Sequence, residues 1–143
     1  MTINEMAFSR SKALEKIENV SMVIFDHLIK CFIYKDVTND LHHWIHDEIV
    51  PQFEYISRLK VKTPSGKLRK EEYYKALFVG KDKDDFEAEL YGFKARNRHY
   101  KDFNITTDLI NLLYNKYCDI INKSVEAIIN NEHNFEEIIY KEV

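Results

Sequence analysis

From Ser11 to about Lys35 the apolar positions Leu14, Ile17, Ser21, Ile24, Phe25, Leu28 and Phe32 return at steps of three and four, while Lys12, Glu15, Asn19, Asp26 and Lys30 fall between them. That period predicts a long amphipathic helix with one buried stripe. Asp36 to Asn39 reads as a break, with Thr38, Asn39 or Asp40 placed to cap the next helix. Leu41 to Lys60 repeats the pattern through Leu41, Ile45, Ile49, Ile56 and Leu59, with Phe53 at one edge of the stripe. Pro51 lies inside this run and predicts either a kink or a restarted helix, because it removes a hydrogen bond to the preceding turn.

Lys62 to Lys67 (KTPSGK) is marked as a loop by Pro64, Ser65 and Gly66. A short helix is predicted over Arg69 to Val79, burying Tyr73 and Leu77, with Gly80 placed to end it. Asp84 stands three residues before Glu87, the spacing of a capping box, ahead of a helix carrying Phe86, Leu90 and Phe93 that fades near Asn97. The last long helix starts at Thr106 or Thr107 and runs to about Asn130. Its polar arc (Asn111, Asn115, Asp119, Asn122, Glu126) is narrow, and Leu109, Leu112, Leu113, Tyr117, Ile120, Ile121, Val125 and Ile128 fill much of the remainder. So wide an apolar face suits either a central helix or one shared with a partner subunit. Phe135 to Tyr140 reads as a terminal turn or short helix.

The expected fold is therefore all-α, a single-domain helical bundle over residues 1–143 with three long helices and one or two short ones. The alternation of Leu59, Val61 and Thr63 with Lys60 and Lys62 leaves room for a small hairpin near 59–68. The chain has only three Gly and two Pro, which turn-rich sheet folds would need in larger number. A hydrophobic content of 45% with 13% aromatics is enough for one core. The most apolar stretch, Val20 to Tyr34, is broken by Asp26, His27 and Lys30, so no membrane span is expected. Met1 to Lys16 lacks the order of a signal peptide, and Cys31 and Cys118 form no CxxC pair, so the expected address is the cytoplasm with both thiols reduced.

Candidate chemistry centres on His42-His43-Trp44-Ile45-His46-Asp47-Glu48. On a helix His42 and His46 share a face at a spacing that can clamp a metal ion between two imidazoles. A zinc site would need further ligands, for which His27, His99 or His133 would have to approach through the fold. Edge histidines facing solvent are the plainer reading, and no HExxH order places a glutamate as base. Glu48 projects from the middle of the predicted stripe, where a carboxylate is costly unless paired. Glu18 lies near the apolar side of the first helix, but no Glu-x-x-His exists in the chain, which argues against a carboxylate-bridged dimetal centre.

Basic residues gather in two groups. Arg58, Lys60, Lys62, Lys67, Arg69 and Lys70 occupy one stretch without an acid, and Lys94, Arg96, Arg98, His99 and Lys101 form the other. Tyrosines flank both. Brought together, they would suit single-stranded nucleic acid or another polyanion, while the plainer reading is a solvated surface balanced by Asp82, Asp84, Asp85, Glu87 and Glu89. A net charge of −3 argues against a surface that is basic throughout. Helical-bundle ribonucleases of the HEPN type resemble this architecture, but they carry an arginine separated from a histidine by four to six residues; Arg96 and His99 have two between them and no other Arg–His pair fits, so the resemblance stops at fold class. There is no P-loop, GxGxxG or GxSxG, and no cofactor is expected. The leading expectation is a non-enzymatic interaction or regulatory protein that acts through its surface, as a homo-oligomer or with a protein partner. A nucleic-acid-binding module and a metal-dependent enzyme at His42 and His46 are the alternatives.

Overall fold

A computed structural model describes residues 3–59, 70–98 and 102–143, with side chains from Lys12 onward. Six α-helices and one π-helix carry the described residues, and no strand occurs among them. They are α1 (Ile3–Tyr34), the π-helix His43–Ile49, α2 (Val50–Arg58), α3 (Lys70–Leu77), α4 (Lys83–Arg96), α5 (Thr107–Ile129) and α6 (Phe135–Glu142). The expected hairpin near 59–68 and the KTPSGK loop fall almost wholly outside the described residues.

The buried apolar residues form one continuous cluster. Its long members are α1, the rod made by the π-helix with α2, and α5; α1 packs against the π-helix and α3, and α5 against α3, α4 and α6. Edge-to-face and tilted ring pairs link the helices, with Phe25 of α1, Phe86 of α4, and Phe78 and Tyr117 all within 5.4–5.8 Å centroid spacing along the chain of contacts. Such pairs add to simple area burial because the positive ring edge meets the negative ring face.

Pro51 stands where the rod restarts, the π-helix ending at Ile49 and α2 beginning at Val50, with no break in helical backbone between them. Ile49 and Val50 both keep right-handed helical angles, and Pro51 sits in the first turn of α2, where an absent N–H costs least. Immediately before it the backbone widens, the Val50 N–H reaching back to the Ile45 carbonyl, five residues away. A π-turn takes more residues per turn than an α-helix, and the buried positions Ile45, Ile49 and Phe53 follow it in equal steps of four. Phe53, expected at the stripe's edge, is fully buried for this reason. Glu48, expected at the stripe's centre, is turned toward the rim and is only half-buried.

Other boundaries shift by a turn or less, apart from α1, which starts at Ile3, well before Ser11. The cap of α4 is Asp82, whose carboxylate accepts from the Asp85 N–H at 2.9 Å, and not Asp84. Gly80 closes the α3–α4 connection with φ of 70°. Thr106 caps α5 by accepting from the Leu109 N–H. The broad apolar face of α5 is covered by the chain's own helices: Leu113, Tyr117, Ile120, Ile121, Val125 and Ile128 are buried, and Leu112 is left exposed.

Candidate functional site

The π-helix presents its histidines to two separate clusters. On one side, Glu48 lies between two imidazoles, with one carboxylate oxygen 3.7 Å from His27 Nε2 and the other 3.5 Å from His43 Nε2. His43 also meets Asp47 at 3.0 Å. His27 is half-buried, and burial, followed by the nearby Lys30 charge, lowers its pKa against the opposing pull of Glu48 and Asp26. Glu48 is thus paired with histidines at a rim that water reaches. Glu18 is exposed on α1. The two carboxylates therefore do not form an inward-facing pair in the core, and the structural basis for a dimetal reading is gone.

On the other side, His42 and His46 stack with ring centroids 5.0 Å apart and planes 10° from parallel. The third member of this cluster comes from α6. Glu136 Oε1 is 3.0 Å from His46 Nδ1 and 4.0 Å from His42 Nδ1, and the Tyr140 hydroxyl is 3.2 Å from His42 Nδ1. One ligand atom from each of His42, His46 and Glu136 lies within 4.8 Å of the others. A carboxylate only accepts hydrogen bonds, so the His46–Glu136 bond requires the proton on Nδ1 of His46. Burial and the Glu136 charge raise the Tyr140 pKa, which keeps its hydroxyl protonated.

The sequence places both clusters through simple packing. Ile45 and Ile49 bury one face of the π-helix against the core and leave His42, His43 and His46 outside. Phe135, Ile138 and Ile139 bury the inner face of α6, with Phe135 stacked on Phe53 at 5.3 Å, so Glu136 and Tyr140 face outward one helical turn apart. Lys123 of α5 pairs with Glu142, and His133 with Glu54 of α2 at 2.7 Å, fixing α6 at both ends. Of the histidines expected to approach His42 and His46, His27 and His133 are engaged elsewhere, and His99 lies outside the described residues. The partner is a glutamate that no local spacing points to.

Of the ten lysines and arginines in the two basic groups, five are described. Lys70 is bonded to Glu126 at 2.9 Å, Arg96 pairs with Asp26 at 3.6 Å, and Arg58 is exposed at the end of α2. Lys94 and Arg98 line a shallow groove with Tyr91, Ala95 and Asn97. Lys60, Lys62, Lys67, Arg69 and Lys101 lie outside the described residues. Both cysteines are free thiols; Cys31 is buried, and burial pushes its pKa up to about 12.

No protein-family model matches this chain, and no curated protein or solved structure matches it either. No helix among the described residues is long and apolar enough to cross a membrane.

Proposed function

We propose that this protein acts by binding through its surface, as a regulatory or interaction protein, and that the working surface is the face where the π-helix meets α6. The observation that carries this reading is the convergence of exposed His42, His46 and Tyr140 with Glu136 from parts of the chain some 90 residues apart. Stacking and hydrogen bonding already hold these rings in place, which lowers the entropy lost when a partner docks. Amphipathic rings of this kind are enriched in interfaces. The patch also carries both donors and acceptors of complementary type, the condition for self-recognition across a two-fold axis. The occupant it fits is a second copy of this chain, in a cytoplasmic setting where Cys31 and Cys118 stay reduced.

Light scattering across a concentration series tests this. The expected result is a mass of two chains or more for the native protein, and of one chain for a His42→Glu/Tyr140→Glu variant, which adds like charge beside Glu136. A native protein that stays a monomer throughout, or a variant that associates as before, would contradict the reading.

A second reading rests on Tyr91, which is about half exposed and lines the same groove as Lys94 of α4 and Arg98 just beyond its end. An exposed ring flanked by two cations suits stacking on a single-stranded nucleic acid. Fluorescence anisotropy with a labelled oligonucleotide checks it: binding should weaken with salt and be lost in Lys94→Glu/Arg98→Glu.

A further inference from the structure

We infer that the His42–His46–Glu136 cluster is a binding site for a divalent transition-metal ion of the zinc class, an inference that deepens the surface reading by naming what the surface holds. Two imidazoles and a carboxylate form a borderline-soft donor set, which zinc, copper and nickel prefer and magnesium and calcium do not. Zinc–nitrogen and zinc–oxygen bonds of about 2.0–2.2 Å in a tetrahedron place ligand atoms roughly 3.3 Å apart. The observed separations from Glu136 Oε1, 3.0 Å to His46 Nδ1 and 4.0 Å to His42 Nδ1, bracket that spacing. Small rotations of exposed side chains close the difference.

The three ligands are held by rigid elements. His42 directly precedes the π-helix and His46 lies within it, four residues on and stacked in parallel, while Glu136 follows the fully buried Phe135 at the start of α6. The Tyr140 hydroxyl, 3.2 Å from His42 Nδ1, bonds the same nitrogen that the ion would take, so it turns away from that nitrogen when the ion binds. At His46 the ion takes the place of the proton that Nδ1 now donates to Glu136, and that proton passes to solvent; metal binding is therefore weakened by acid. Three ligands from one chain leave a fourth position, open to water or to a side chain of the docking copy. His43 points to Asp47 and Glu48 on the other side and takes no part.

The test is calorimetric titration of chelator-stripped protein with Zn²⁺, with Mg²⁺ as control, at neutral pH. The expected result is one Zn²⁺ per chain and no Mg²⁺ binding. His42→Ala, His46→Ala and Glu136→Gln should each weaken Zn²⁺ binding by at least the roughly 10–100-fold that loss of a supporting contact costs, and His43→Ala should leave it unchanged. His42, His43 and His46 are exposed and Glu136 is half-buried, and circular dichroism verifies that the variants stay folded. Absence of Zn²⁺ binding, or binding that survives all three substitutions, or binding lost in His43→Ala instead, overturns the assignment. Light scattering in the presence of chelator separates this failure from failure of the surface reading: where Zn²⁺ binding fails, association that persists in chelator leaves the docking face standing.

Discussion

Tyr117 is fully buried, yet its hydroxyl has work at the end of α3, where the Val79 N–H donates to it at 3.0 Å and the Leu77 carbonyl lies at 3.5 Å. Removing that oxygen in Tyr117→Phe keeps the ring packing and loses the hydrogen bonds, so urea denaturation should show a loss of about 0.5–1.5 kcal/mol. Gly80 is more demanding. A Cβ there would lie 2.7 Å from Phe86 Cα and 2.9 Å from its nitrogen, on a backbone with φ of 70°. Gly80→Ala should cost about 1–3 kcal/mol from strain alone, and more because the backbone of α4 must give way. His27 sets a pH dependence. Its folded pKa lies below the ordinary 6.5, so below that value the unfolded chain binds more protons than the folded one. Its contribution to stability is complete above pH 6.5 and falls as pH drops through it; His27→Gln should lose less stability than the native protein between pH 7.5 and 5.5, compared by denaturation at each pH.

At the scale of elements, much is legible in the sequence. The three-and-four spacing from Leu14 to Phe32, the Thr106 cap and the fade of α4 at Asn97 are local consequences of residue order, and the structure keeps them. The π-turn escapes a reading that assumes a 3.6-residue period, and the repeat of Ile45, Ile49 and Phe53 in fours is the one signal that could have revealed it. Glu136 is hidden for a different reason. Nothing within a few residues of it refers to His46, and the tertiary packing of α6, with Phe135 stacked on Phe53, brings the two together. That stack also sets the stability of α6: Phe135→Ala should cost about 3–5 kcal/mol in a denaturant melt, as expected for an emptied aromatic site in a core. A loss under 1 kcal/mol would mean that α6 is not anchored as described.

For the whole molecule, the cores of α1, α5 and the π-helix–α2 rod are closed on themselves, and the width of the α5 face is explained by its central place. Association is therefore expected not on α5 but on the face where Lys35 reaches the Val143 carbonyl and His42 meets Tyr140. Amide chemical shifts measured over a concentration series test that placement most directly. Changes should concentrate at residues 42–46 and 136–140. Changes centred instead on Leu112 or on Tyr91 to Arg98, or no changes at all, would contradict it.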